Sequence, residues 1–229
     1  MRIVLMPGLG ADSGLFDPQR EELGDRLSVV VPEAADATGS FSDAADRIAT
    51  KIDAAGLTAE PYALGGMSFG GSLALEVSRR VARPPERLVL IASNRTSDTI
   101  PRRFGLARSL GRLAPRSVAP AVLARLADVF AWREGLEAHD RVWLRGIARR
   151  TDVPLLLWGA RAIAGWRFTD GDAAALPAPI HQIHGERDWV LPMAERHATV
   201  RLPGARHLIN RTHAAVVNRW LIDPDDAAR

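Results

Sequence analysis

The segment Gly66-Met67-Ser68-Phe69-Gly70-Gly71 places one hydroxyl between two glycines, each two residues away. An apolar run, Tyr62-Ala63-Leu64, precedes it, and Ser72-Leu73-Ala74-Leu75-Glu76-Val77 follows with helical character. A serine on so tight a strand-to-helix turn takes strained backbone angles, and its neighbours must lack Cβ atoms to avoid clashing. The helix that starts there points the positive end of its dipole at the hydroxyl and at any anion developing beside it. The chemistry this suggests is nucleophilic attack. A serine is a poor nucleophile until a base takes its proton, and the base needs an acid to orient it. Two downstream loops offer candidates. His184-Gly185-Glu186-Arg187-Asp188-Trp189-Val190-Leu191-Pro192 presents Asp188, and Pro203-Gly204-Ala205-Arg206-His207 presents His207. The order serine, aspartate, histidine is one in which such groups are known to occur.

These three residues need a scaffold that brings distant segments together. Short apolar runs alternate with helical patterns, the sign of a largely parallel sheet covered on both faces. Strands are predicted at Arg2–Met6, Leu27–Val31, Tyr62–Met67, Leu88–Ala92, Ile180–Ile183 and Thr199–Leu202. Helices are predicted at Asp17–Leu23, Ser42–Ala55, Phe69–Val81 and Ala214–Ile222, with Asp43 suited to a first turn and Gly56 to a C-cap. On this reading Ser68, Asp188 and His207 all fall on loops at the carboxyl ends of strands. Between Ser93 and Pro177 the alternation stops, and helix-like stretches carry Trp132, Trp143, Trp158 and Trp166. That insert reads either as an appendage with an ordinary core or as a cap over a site at the strand ends. The expected organisation is a core of residues 1–95 and 176–229 with a helical cap, 96–175, inserted in it.

The elbow Gly66–Gly70, the acid loop Gly185-x-x-Asp188-x-x-x-Pro192, and the His207 loop before a terminal amphipathic helix resemble the α/β-hydrolase family over nearly the full chain. The resemblance implies a minimal α/β-hydrolase fold: a mostly parallel central sheet, helices on both faces and a helical cap. It also implies Ser68 as nucleophile, His207 as general base and acid, and Asp188 as the group that orients the imidazole. The family's oxyanion hole, carried across, uses the backbone N–H groups of Phe69 and of Leu9 in Pro7-Gly8-Leu9-Gly10. Losing one such donor typically costs ~3 kcal/mol in the barrier. Two departures stand out: Pro7-Gly8 replaces the family's usual His-Gly, and Arg206 replaces the glycine that commonly precedes the histidine. The chain starts at the strand before the oxyanion loop, so it resembles a member lacking the family's first hairpin.

Composition narrows the alternatives. The 229 residues are 47% hydrophobic and 25% charged, ordinary globular usage. No cysteine is present, which excludes a thiol nucleophile, a cysteine-based zinc site and disulfides. The apolar run at the start is too short for a secretory segment, and no stretch approaches ~18 apolar residues, so a soluble cytoplasmic protein is expected. The calculated pI is near 10.3, yet the net charge is only +3 and Lys51 is the sole lysine. Arginine's high pKa inflates that pI, and without a basic–aromatic ladder no nucleic-acid partner is expected. From Pro101 to Asp170 there are thirteen arginines against six acidic residues, including Arg102, Arg103, Arg108, Arg112, Arg149 and Arg150. Such a segment could attract an acidic carrier protein or an anionic substrate, or it could be a solvated face in an arginine-biased chain.

Other constellations are weaker. His181 and His184 are three apart in a predicted strand and point to opposite faces, so they cannot grip one ion. His213 precedes the last helix and reads as a helix-terminal residue. Asn94 stands where some relatives keep an alternative acid, but an amide cannot serve as a charged orienter. Serine rather than aspartate at the elbow argues against dehalogenase or epoxide-hydrolase chemistry. The expectation is a serine hydrolase, needing no cofactor or metal, that cleaves a carboxylic ester or thioester with an apolar acyl or alcohol part. The substrate is a small-molecule ester, free or carrier-bound, and the layout resembles the small capped esterases acting on pimeloyl-acyl-carrier methyl esters. The alternatives are a non-catalytic small-molecule binder and a lyase or acyltransferase using the same serine.

Overall fold

The computed structural model describes residues 1–101, 119–197 and 200–225. The strands are β1 (Arg2–Met6), β2 (Leu27–Val29), β3 (Tyr62–Met67), β4 (Arg87–Ile91), β5 (Ile180–Gly185) and β6 (Val200–Leu202). All pair in parallel, in the order β2-β1-β3-β4-β5-β6. Period-two alternation sorts their side chains into two apolar layers. Val4 and Met6, Tyr62 and Leu64, and Leu88 and Leu90 fill one layer. Ile3 and Leu5, Ala63 and Met67, and Val89 and Ile91 fill the other. Both faces are dry, so these strands read as continuous apolar runs.

The helices are α1 (Asp17–Leu23), α2 (Phe41–Ala54), α3 (Phe69–Val77), α4 (Ala119–Glu134), α5 (Ala138–Arg150), α6 (Val153–Gly165), α7 (Asp170–Ala174), α8 (Ile209–Thr212) and α9 (Ala214–Ile222). Phe41, Ile48 and Ile52 of α2 join Leu73 and Val77 of α3 in the first layer, while Leu23 of α1 meets Val217, Trp220 and Leu221 of α9 in the second. Asp43 closes a capping box with Ser40, accepting the Ser40 N–H at 2.7 Å while its own N–H donates to Ser40 Oγ at 3.2 Å. Gly56, at φ 67°, follows the end of α2 in the left-handed region that glycine tolerates.

Several boundaries differ from the sequence expectation for local reasons. β2 stops at Val29, ahead of Pro32, which has no N–H to offer a ladder. α3 stops at Val77 rather than Val81, where the Ser78 hydroxyl takes the Leu75 carbonyl at 2.8 Å. β5 runs past Ile183 because His184 and Gly185 pair with Arg201 and Leu202 of β6. Thr199, expected to open β6, lies outside the described residues.

Between β4 and β5 the described residues form helices and no strand. These helices are tied to the helices and loops around the sheet by a few specific contacts. Arg211 donates to Asp140 at 2.5 Å, both groups being buried, and its guanidinium lies 4.1 Å from the Trp143 ring centre. Trp158 donates to the Gly39 carbonyl at 3.1 Å and Trp166 to the Glu76 carboxylate at 2.8 Å. Trp166 and Phe168 stack within the first core layer, whereas Trp132 is 72% exposed.

Candidate active site

Ser68 sits between β3 and α3 with φ 54° and ψ −123°, angles an L-residue holds only where the surroundings enforce them. Three bonds do so: the Ser68 N–H donates to Ile91 O at 3.0 Å, and its carbonyl accepts from Ser93 Oγ at 2.6 Å and from Gly71 N at 3.0 Å. The flanking glycines are required by close backbone approach. A Cβ on Gly66 would lie 2.5 Å from the Met6 carbonyl oxygen, and one on Gly70 would lie 2.5 Å from that of Pro7. The chain after β1 is therefore pressed against the elbow. A Cβ on Gly8 would come within 3.5 Å of Ser68 Cβ, so the loop carrying Leu9 runs beside the hydroxyl.

Asp188 and His207 come from the loops after β5 and β6. His207 Nδ1 lies 2.7 Å from Asp188 Oδ2, with both side chains buried. Asp188 Oδ1 accepts the N–H groups of Val190 and Leu191 at 2.8 and 2.9 Å. Burial by itself would raise this carboxyl's pKa. Electrostatic attraction to the His207 ring, together with hydrogen bonds from His184 and His207, outweighs burial and holds it well below the usual carboxylate range. An ionised carboxylate only accepts, so His207 carries its proton on Nδ1 and keeps Nε2 for another partner. The Ser68 hydroxyl makes no hydrogen bond among the described residues. Links of this kind commonly close only around a bound substrate.

Ser68 and His207 line one cavity of about 380 Å³. Leu9, Phe69 and Leu191 line it from the core, and Leu126, Phe130, Trp143, Leu144 and Ile147 from α4 and α5. The amides of Leu9 and Phe69 find no acceptor among the described residues; Phe69 is the first residue of α3, where an N–H has no partner within the helix. Leu9 is itself held by the insert, since a Cβ on Gly159 of α6 would overlap Leu9 Cδ1. Among the described residues, His207 is the one lining side chain that can carry charge.

The sequence reading missed His184. It is buried, and its Nε2 lies 3.1 Å from Asp188 Oδ2 and 2.8 Å from Leu191 O, so that nitrogen is the donor. Its Nδ1 faces Gln182 Nε2 at 3.3 Å, and Gln182 also donates to Ser93 O at 3.1 Å. Ser93 returns the chain to the elbow through its bond to the Ser68 carbonyl. A continuous polar line thus joins the acid to the backbone of the serine. The extension of β5 through residue 184 was the missing signal, because it puts His184 on the same sheet face as Gln182. His181, on the opposite face, lies 3.8 Å from Asp225.

Other candidates sit elsewhere. Arg206 donates to the Arg133 carbonyl, and His213 bonds Thr212 between α8 and α9. Asn94 lines the cavity but donates to Thr99 Oγ1 at 2.6 Å. Arg150 pairs with Asp12 at 3.0 Å and Arg149 is exposed, while Arg102, Arg103, Arg108 and Arg112 lie outside the described residues. No helix among the described residues is long and apolar enough to cross a membrane.

Fold and site together define a class: α/β proteins with a strained serine elbow at the carboxyl edge of a parallel sheet and a helical insert above it. The chain belongs to the alpha/beta hydrolase family, whose model matches residues 3–220. Solved structures agree on the fold. It is similar to a thermophilic esterase from Thermogutta terrifontis, at 18% identity over 100% of this chain and 90% of that one, with a TM-score of 0.72. An enol-lactonase from Burkholderia xenovorans LB400 is 21% identical over 96% of this chain and 89% of that one, TM-score 0.72. The RedJ thioesterase of the prodiginine biosynthetic pathway in Streptomyces coelicolor is 22% identical over 99% of this chain and 85% of that one, TM-score 0.63. No curated protein matches the sequence.

Proposed function

We propose that the protein is a serine hydrolase that cleaves a carboxylic ester or thioester with an apolar acyl or alcohol part. The observation that carries this reading is the 2.7 Å bond between His207 Nδ1 and Asp188 Oδ2, which leaves Nε2 of a ring that shares its cavity with Ser68. In the forward step Nε2 takes the Ser68 proton as Oγ bonds to the acyl carbon. The oxyanion so formed accepts from the amides of Leu9 and Phe69. The imidazolium, steadied by Asp188, then protonates the departing alcohol or thiol as its bond to the acyl carbon breaks. Water, deprotonated by the same nitrogen, attacks the acyl-enzyme, and Ser68 regains its proton as the acid leaves.

The cavity supports the substrate class. Its walls are mainly leucine, isoleucine, phenylalanine and tryptophan, and among the described residues no arginine, lysine, aspartate or glutamate lines it, which supports an uncharged enclosed part of the substrate. The fold neighbours are called esterase, enol-lactonase and thioesterase, names that share cleavage at an acyl carbon. Turnover of short p-nitrophenyl esters tests the reading. Ser68→Ala should lower kcat by roughly 10⁴-fold or more, and a fluorophosphonate probe should label the wild type but not the variant. Full turnover by Ser68→Ala would sink it.

A further inference from the structure

The last turn of α4 carries a buried carboxylate for which the reaction above has no use. Glu134 is 5% exposed. Its Oε1 accepts from Trp189 Nε1 at 2.6 Å and its Oε2 accepts the N–H of Leu208 at 2.9 Å. Trp189 is the residue after Asp188, and Leu208 is the residue after His207. One side chain from the insert therefore holds both loops that present the acid and the base. Two oxygens of a planar carboxylate fix the separation of the donors they bind, and bonds to an ionised acceptor are the stronger kind.

Glu134 is also firmly placed. Gly135 turns left-handed at φ 70°, its N–H returning to Trp132 O at 3.1 Å and that of Leu136 to Ala131 O at 3.0 Å. This is a Schellman ending, with Leu136 buried beneath it. Arg206, beside His207, donates to the Arg133 carbonyl in the same turn. The Phe130 ring lies 5.3 Å from the Trp189 ring, and the Arg133 guanidinium lies 4.3 Å from it. Upstream, the same helix lines the cavity through Leu123, Leu126, Ala127 and Phe130.

We propose that Glu134 is a positioning residue that fastens the Asp188 and His207 loops to the insert, so that acid–base geometry and the roof of the cavity form one unit. The inference rests on the hydrolase reading above, and its test separates the two. Wild type, Glu134→Gln, Trp189→Phe, Asp140→Asn and Ser68→Ala are compared for kcat, KM and Tm on p-nitrophenyl butyrate. Glu134→Gln turns an amide N–H toward one of two donors; kcat should fall about 100-fold, as a misplacement near 1 Å costs, with KM nearly unchanged. Trp189→Phe removes one leg and should cost roughly tenfold, the loss of a single hydrogen bond to a charged group. Combined with Glu134→Gln it should cost nothing further. Asp140→Asn breaks a different tether of the insert and should lower Tm while leaving kcat near wild type. Wild-type kcat in Glu134→Gln, or a loss that only follows Tm as in Asp140→Asn, overturns the proposal. Should Glu134→Gln fail to fold, wild-type kcat in Trp189→Phe overturns it. An active Ser68→Ala defeats the hydrolase reading instead.

Discussion

His184 and His207 converge on a single oxygen, Asp188 Oδ2, from 3.1 and 2.7 Å. The acid is thus aligned from two sides: His207 faces the cavity, while His184 is fixed by Gln182 and the Leu191 carbonyl. Replacing His184 with Phe removes one donor to Asp188, the donor to the Leu191 carbonyl and one of the acceptors of the Gln182 amide. The loss should be about 1–3 kcal/mol of stability, the usual cost of orphaning buried polar groups. Urea unfolding measures it, and an unchanged midpoint and slope would deny His184 that role.

Asp188→Asn tests the acid itself. An amide can present its NH₂ to His207 and favour the wrong tautomer, so kcat should drop about 10⁴-fold while the fold is retained. The pH dependence of stability follows with a definite sign. The folded-state pKa of Asp188 lies below its unfolded value, so its contribution is full above the ordinary aspartate range and is lost as pH falls through that range toward the folded value. Wild type should therefore lose more stability than Asp188→Asn between about pH 5 and pH 2. Parallel acid-unfolding curves for the two would contradict this.

The elbow predicts opposite outcomes for two small changes. Ser68→Gly relieves a non-glycine residue at φ 54° and should raise stability by about 1 kcal/mol while abolishing turnover. Gly70→Ala puts a Cβ against the Met6 and Pro7 carbonyls and should destabilise by about 3 kcal/mol, as severe core overpacking does. Thermal melts of both variants decide the matter; a Ser68→Gly no more stable than wild type would remove strain from the account.

Leu144 lines the cavity from α5 and is partly buried. Leu144→Trp should shorten the space for the apolar chain and move the optimum of kcat/KM toward shorter p-nitrophenyl esters. Each methylene excluded is worth about 0.8 kcal/mol of burial. A chain-length profile identical to the wild type's would show that the substrate's apolar part lies elsewhere.

The sheet and its elbow were legible in the residues because both follow from short-range rules. Alternation of apolar residues assigns Ile3 and Leu5 to one face and Val4 and Met6 to the other without any tertiary knowledge. Gly66 and Gly70 mark a turn too tight for side chains, and that requirement shows in the sequence as a missing Cβ. What the chain order could not disclose was contact between segments far apart along it. His184 meets Asp188 because β5 continues two residues past its apolar run to pair with β6, and strand register is settled only by the assembled sheet. Glu134 reaches Trp189 and Leu208 only after α4 docks across both loops, a placement set by many weak packing contacts. The cavity follows the same rule, since its shape is the space left when the insert settles on the strand ends.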